Sequence, residues 1–206
     1  GKSVQAFISL DKSLSLLKKI KKPKYESRIL INAVGLYKDA DLLEFALDYG
    51  RRALVLANKI KDPAKICDAS YELASIELLT KNYQMAENRL LSAKVYCEKA
   101  NHKMLSLGVN YSILELRIET GELEEARKIA DELHPEIINF GWDVMTAASY
   151  SMMARLEYEE LDFRKALESA KKAYKIAKKN DDKKRLEVAS GLLAEIYSVL
   201  KNDKEA

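Results

Sequence analysis

Four short segments of the sequence repeat one pattern: NYQMA at residues 82–86, GELEEA at 121–126, DFRKA at 162–166 and NDKEA at 202–206. Each opens on a polar or glycine turn, continues into residues that favour a helix, and ends on an alanine. These alanines belong to one column with an interval of 40 residues: Ala6, Ala46, Ala86, Ala126, Ala166 and Ala206. A fixed interval of this length is typical of a protein built from repeated structural units.

Apolar residues between these turns follow the period of a helix. In residues 66–79 they recur at steps of three and four residues, which places them on one helical face: Cys67, Ala69, Leu73, Ala74, Ile76 and Leu79. Each unit of 40 residues therefore predicts an antiparallel pair of helices, called A and B. We expect the A helices near residues 25–39, 64–80, 103–119, 143–160 and 183–200. The B helices are expected near residues 3–20, 41–60, 83–100, 123–139 and 163–179.

A single helical pair of this size cannot bury its own apolar face, so neighbouring pairs must stack. Small residues where the helices meet let their axes approach closely, as at Ala74, Ala93 and Ala173. The sequence thus predicts a single array over residues 1–206: a half repeat (1–22), four complete repeats (23–62, 63–102, 103–142 and 143–182) and a partial repeat (183–206). Because the terminal repeats are incomplete, we expect a fragment of a longer protein.

These columns resemble the tetratricopeptide repeat (TPR). In that family a small residue stands in the middle of helix A and an aromatic residue or leucine opens helix B. Two alanines seven residues apart follow, as Ala86 and Ala93 or Ala166 and Ala173 do in this sequence. The unit of 40 residues exceeds the standard length of about 34, and is similar to the repeats of bacterial signalling regulators and of Leu-Gly-Asn repeat scaffolds. The resemblance implies an all-α fold: a right-handed α-solenoid of stacked antiparallel hairpins, or TPR-like superhelix, with A helices on the concave face.

The resemblance also implies a binding groove lined by the A helices. Column by column, its positions are Arg28, Asn32, Asp68, Tyr71, Tyr111, Glu115, Arg155, Tyr158 and Glu195. Tyrosines among charges of both signs suit a peptide ligand, because tyrosine combines a large contact area with a hydroxyl group. Binding of a chaperone's C-terminal carboxylate is disfavoured, because Ile31 and Gly35 stand where that mode uses lysine and asparagine in the first complete repeat.

The sequence offers no support for catalysis, a metal or a cofactor. It contains no HExxH, GxSxG or CxxC motif. Its two histidines, His102 and His134, are 32 residues apart and lack the spacing of metal ligands. No run of 18 apolar residues occurs, so no membrane span is predicted. The 35 Lys and Arg residues nearly balance the 32 Asp and Glu residues, which argues against a nucleic-acid partner.

Two local features leave alternatives open. Cys67 and Cys97 would lie at neighbouring ends of antiparallel helices, where a disulfide is conceivable, but two reduced, buried thiols are the expectation for a cytoplasmic protein. Pro135 falls inside a B helix, where proline removes a backbone hydrogen bond. We expect a bend at Pro135; the alternatives are a helix that ends and restarts, or a hinge or binding notch near Phe140 and Trp142.

The leading hypothesis for function is a non-catalytic protein–protein interaction scaffold that binds a peptide or a partner helix in the concave groove. The alternative is a sensory or regulatory domain of a bacterial signalling or transcription regulator, which would bind a small effector or a signalling peptide. A third hypothesis, an RNA-binding helical repeat, would need a continuous basic stripe with stacking residues. We expect a cytoplasmic protein with no cofactor, in which the incomplete terminal repeats would allow self-association.

Overall fold

The structure, a computed structural model, describes residues 2–20 and 22–202. Within them the chain forms ten helices and no strand: α1 (Lys2–Ile20), α2 (Pro23–Asp39), α3 (Leu43–Ile60), α4 (Pro63–Leu79), α5 (Tyr83–Lys99), α6 (Lys103–Glu119), α7 (Leu123–Phe140), α8 (Asp143–Glu159), α9 (Phe163–Lys179) and α10 (Lys183–Asn202). Each helix begins and ends within two residues of its predicted bounds, which confirms the all-α prediction. Even-numbered helices are the predicted A helices and odd-numbered ones the B helices. Ala206, the last alanine of the column, lies outside the described residues.

Proline and aspartate begin several of these helices. Pro23 and Pro63 occupy the first turn of α2 and α4, where a fixed φ suits the helix and no N–H is required. The carboxylates of Asp62, Asp162 and Asp182 accept a hydrogen bond from the backbone N–H three residues later, at 3.3, 3.2 and 3.2 Å. These caps satisfy N–H groups that the first turn of a helix leaves unpaired.

The eight turns between α2 and α10 share one backbone feature. Each contains a residue with a positive φ, and these residues are 20 positions apart: Asp41, Lys61, Lys81, Asn101, Gly121, Gly141, Leu161 and Asp181. In seven of these turns the N–H of the next residue donates to the carbonyl five residues back, as from Leu42 to Tyr37 and from Asp162 to Glu157, both at 2.9 Å. This Schellman pattern closes the C-terminus of a helix. The turns therefore repeat at half the interval of the alanine column.

Leu161 is poorly suited to such a turn, and its replacement by glycine is expected to stabilise the protein. Its φ is 64° and the residue is 73% exposed, so burial does not offset the strain of a left-handed backbone. We expect Leu161→Gly to raise the free energy of unfolding by about 1 kcal/mol, measured by urea denaturation. Leu161→Ala removes the same exposed side chain but keeps the strain, so it should change stability by less than about 0.5 kcal/mol. Equal effects of the two substitutions would show that backbone strain is not the cause.

The described helices form two compact units, which divide between Ser112 and Ile113. In the first unit α1 packs on α2, the helices from α2 to α5 pack in succession, and α2 also packs on α4. In the second unit the helices from α7 to α10 pack in succession, and α8 also packs on α10. The helix α6 contributes its first part to one unit and its last part to the other. Each unit is thus a stack of hairpins in which one A helix contacts the next.

The alanine columns lie at the helix contacts. Four members of the first column are fully buried: Ala46, Ala86, Ala126 and Ala166. Ala6, at the start of α1, is exposed instead. A small side chain lets two helix axes approach, and fully buried large residues such as Leu73 and Leu90 fill the remaining space.

The helix α7 runs through Pro135 without interruption, so the alternative in which this helix ends and restarts is wrong. Pro135 lies on the exposed side of α7, where water can satisfy the carbonyl that loses its backbone donor. The expected bend at Pro135 stays a prediction.

Cys67 and Cys97 form a disulfide, so the expectation of two reduced thiols is wrong. Cys67 lies near the start of α4 and Cys97 near the end of α5. Antiparallel packing brings their Cα atoms to 5.1 Å, a separation that a disulfide spans. The expectation failed because it rested on the number of cysteines and the assumed compartment rather than on this distance.

Candidate functional site

The nine residues predicted to line a groove all lie on A helices: α2, α4, α6, α8 and α10. Three of them are exposed: Arg28, Asn32 and Glu195. The other six are half-buried: Asp68, Tyr71, Tyr111, Glu115, Arg155 and Tyr158. A half-buried side chain is oriented by its neighbours and still accessible, which suits it to contact a ligand.

In the first unit, Tyr71 of α4 lies against Gly108 of α6. A Cβ atom placed on Gly108 would be 3.3 Å from the Tyr71 hydroxyl oxygen and 3.4 Å from its Cζ atom. Glycine at this position therefore allows the end of the tyrosine ring to approach the α6 backbone. Tyr111 follows three residues after Gly108 on α6 and is also half-buried. The two tyrosines thus occupy successive A helices of one unit.

Polar side chains join α2 to α4 in the same unit. The ammonium group of Lys38 donates to Glu72 Oε2 and to Ser75 Oγ, both at 2.8 Å. The side chains of Lys38 and Glu72 are only 21% and 19% exposed, so their attraction is screened less than that of a surface ion pair. These residues were not predicted, although Lys38 stands in the column of Tyr158 and Ser75 in that of Arg155. The columns that identified the groove positions could have found them.

Asp68 of α4 has a raised pKa, because burial disfavours the charged carboxylate. The Lys65 ammonium group, 3.6 Å from Asp68 Oδ2, lowers this pKa, and Glu72 raises it. The charge of Asp68 is thus incompletely compensated by its neighbours. A further hydrogen-bond donor, such as the backbone N–H of an extended peptide, would stabilise the carboxylate.

The two exposed positions on α2 contact their surroundings in different ways. The guanidinium carbon of Arg28 lies 5.4 Å from the centre of the Tyr25 ring, within the range of a cation–π interaction. Asn32 lines a hollow of about 300 Å³ between α1 and α2, together with Leu10 of α1. Arg28 therefore packs on its own helix, and Asn32 faces α1.

In the second unit, Arg155 of α8 pairs with the last part of α6. Its guanidinium donates a hydrogen bond to Glu119. The same arginine lowers the pKa of Glu115, but burial raises that pKa more strongly. Glu115, Glu119 and Arg155 thus form one charged cluster between two A helices, while Glu195 lies exposed on α10. Glu119 was not among the predicted residues.

Tyr158 is part of the hairpin packing of the second unit. Its ring meets the ring of Phe163 edge-on, with the ring centres 5.3 Å apart. It also packs against a buried cluster: Ala154, Ala166, Ala170 and Ile196. Tyr158 therefore joins α8 to α9 and α10, in addition to any contact with a ligand.

These A-helix side chains supply hydroxyl groups, carboxylates and a guanidinium, which recognise a ligand by hydrogen bonds and charge. Within residues 2–20 and 22–202, no three His, Cys, Asp or Glu residues come together as a metal site would require. None of the helices in the described part of the chain has the length and apolar character needed to cross a membrane.

Neither a family model nor a curated protein matches the sequence. Among solved structures, a Rap protein in complex with the competence and sporulation factor matches with a TM-score of 0.77 at 15% identity, over 98% of this chain and 60% of that one. The apo form of RapI matches with a TM-score of 0.74 at 16% identity, over 100% and 79%. BtubC (BKLC) from P. vanneervenii matches with a TM-score of 0.70 at 15% identity, over 88% and 76%. This chain thus spans about 60% of the length of the first Rap protein, and the likeness confirms a TPR-like helical-repeat fold.

Proposed function

We propose that this protein is a non-catalytic interaction module that binds a peptide segment along the A helices of its repeats. The observation that best supports this proposal is that tyrosine and charged side chains on these helices are half-buried. Tyr71 lies against Gly108 in one unit, and Arg155 pairs with Glu119 in the other. Side chains that are already oriented lose little entropy when a ligand binds. The fold likeness to a Rap protein bound to the competence and sporulation factor supports the proposal.

An extended peptide fits the chemistry of these side chains. Its backbone presents N–H and C=O groups that must be paired when they leave water. The carboxylates of Asp68 and Glu115, whose pKa values burial raises, would accept hydrogen bonds from peptide N–H groups. The rings of Tyr71 and Tyr111 would cover apolar side chains of the peptide.

A second candidate is the sensory domain of a bacterial signalling or transcription regulator. It is favoured by the fold likeness to two Rap chains, of which this chain covers 60% and 79%. The same A helices would then bind a small effector or a signalling peptide, and a DNA-binding, kinase or ATPase domain in the same gene would favour this role. For both candidates we propose a cytoplasmic protein whose partners are proteins or peptides rather than nucleic acids, with self-association through the terminal repeats.

The test uses a peptide selected from a random library for binding to the wild-type protein. We expect the double variant Tyr71→Ala and Tyr111→Ala to weaken its dissociation constant at least about tenfold, measured by isothermal titration calorimetry. The reason is the loss of two anchored aromatic contacts on successive A helices. Circular dichroism should show the helical content of the wild type.

The matched control removes two half-buried tyrosines from B helices, Tyr83 of α5 and Tyr174 of α9. The variant Tyr83→Ala and Tyr174→Ala should keep the dissociation constant within about twofold of the wild-type value. If the A-helix variant binds as the wild type does, the A helices are not the binding surface and the proposal fails.

A further inference from the structure

A solvent-open pocket lies in the first unit, between α3, α4 and α5. Its volume of about 380 Å³ falls in the range of ligand sites. Apolar side chains of Leu54, Ile66 and Met85 form part of its wall, and polar side chains such as Asn88 and Ser92 form the rest. None of the nine predicted groove residues lines it. The pocket is therefore separate from the A-helix surface described above.

In the second unit, a tyrosine ring occupies the space that is equivalent to this pocket. Eighty residues along the chain, the counterparts of Leu54, Ser70 and Ser92 are His134, Tyr150 and Lys172. The ring of Tyr150 meets that of His134 edge-on at 4.7 Å, and the Lys172 ammonium group lies 5.4 Å from its centre. The tyrosine ring thus lies between the counterparts of two pocket walls.

Serine in place of tyrosine leaves that space open in the first unit. Ser70, the counterpart of Tyr150, is 2% exposed and lines the pocket. Its side chain ends at one hydroxyl group, so it does not supply the ring that Tyr150 supplies in the second unit. The open volume of about 380 Å³ leaves room for an aromatic ring.

We propose that this pocket binds a tyrosine side chain from a partner polypeptide. The ring would take the place that Tyr150 fills in the second unit. Arg89, at the rim, donates through Nε to Glu77, and its two Nη groups make no other hydrogen bond within the described residues. Those groups and the exposed amide of Asn88 would bind the carbonyl groups that flank the tyrosine.

The disulfide holds two of the pocket walls together. Cys67 is adjacent in sequence to Ile66 of α4, and Cys97 is adjacent to Tyr96 of α5; both neighbours line the pocket. A covalent link beside the pocket limits the separation of α4 from α5. The pocket is therefore formed before a ligand arrives, which lowers the entropic cost of binding.

The test titrates the full chain with N-acetyl-tyrosinamide and follows backbone amide signals by NMR. We expect a dissociation constant near 1 mM, as the size of this probe allows, with the largest shifts at Ser70, Asn88 and Ser92. N-acetyl-leucinamide should bind at least about tenfold more weakly, because it lacks the ring. Equal binding of the two probes would overturn the assignment of an aromatic occupant.

Two variants close the pocket from different walls. Ser70→Tyr supplies the ring from α4, as Tyr150 does in the second unit, and Ser92→Tyr supplies one from α5. Each should weaken binding of N-acetyl-tyrosinamide at least about tenfold, and the second keeps the test valid if the first does not fold. Ser190→Tyr makes the same substitution at the equivalent, exposed position of α10 and should leave binding unchanged.

Three results would overturn the proposal: no binding of the probe, full binding by both pocket variants, or shifts centred on Tyr111 instead of Asn88 and Ser92. Failure here would leave the proposed A-helix function intact, because the substitutions at Tyr71 and Tyr111 lie outside the pocket. If the pocket binds the probe but the Tyr71 and Tyr111 substitutions do not weaken peptide binding, partner binding would lie on the side of α3 and α5.

Discussion

The free energy of unfolding is expected to fall by about 3.5 kcal/mol when Cys67 and Cys97 are both replaced by alanine. The disulfide joins residues that are 30 positions apart, and a cross-link of this span removes corresponding entropy from the unfolded chain. Both cysteines are fully buried, and alanine adds no polar atom at either position. Urea denaturation of the oxidised protein and of the double variant measures the difference.

Reduction provides the control for this prediction. Dithiothreitol should lower the stability of the wild type by a similar amount and should not affect the double variant. If alkylation of the unfolded, unreduced wild type modified two thiols, the disulfide would be absent and the prediction wrong. A reducing cytoplasm would open the bond as dithiothreitol does, so the experiment also measures the stability that the protein would retain there.

The second large effect is expected at the contact between Gly50 of α3 and Leu73 of α4. A Cβ atom on Gly50 would lie 2.7 Å from Leu73 Cδ2 and 3.0 Å from Leu73 Cγ. Leu73 is fully buried, so it cannot move aside without disturbing its neighbours. Gly50→Ala should therefore lower stability by about 1 kcal/mol, although alanine favours a helix more than glycine does. Leu73→Ala should cost about 3 kcal/mol.

Combining the two substitutions separates overpacking from helix propensity. In the Leu73→Ala background the added methyl group enters vacated space, so Gly50→Ala should become stabilising, with a coupling free energy of about 2 kcal/mol. Gly35→Ala is the matched control, because no atom lies within 4 Å of a Cβ at that position of α2. It should raise stability by about 1 kcal/mol in either background. A stabilising effect of Gly50→Ala alone would contradict the overpacking argument.

Helix bounds were predictable because two signals agreed. The alanine column set the interval, and the spacing of apolar residues set which face is buried, so each helix lies within two residues of expectation. The regular turn was harder to see, because glycine stands at only two of its eight left-handed positions. Residues such as Leu161 and Lys81 carry no turn signal, and backbone hydrogen bonds define the turn instead.

The candidate site was predictable at the level of helices but not of contacts. Column positions placed the nine residues on A helices, as the structure has them. They did not reveal that Tyr158 packs against Phe163 or that Arg155 pairs with Glu119, because such contacts depend on neighbouring side chains. The pocket had one sequence signal: Ser70 stands in the column where Tyr150 carries a large ring. The meaning of this signal depends on how deeply the Ser70 side chain is buried, which the sequence does not show.

The uniform turns have a consequence for the gain and loss of repeats. Because the left-handed residues of successive connections fall 20 residues apart, the chain from α2 to α10 is divided into helix-and-turn segments of equal length, alternately A and B. Removing two adjacent segments would keep the A and B helices in alternation. Removing one segment would place an A helix where each later helix packs against a B helix, and the reverse. We therefore expect proteins of this design to gain and lose helices two at a time.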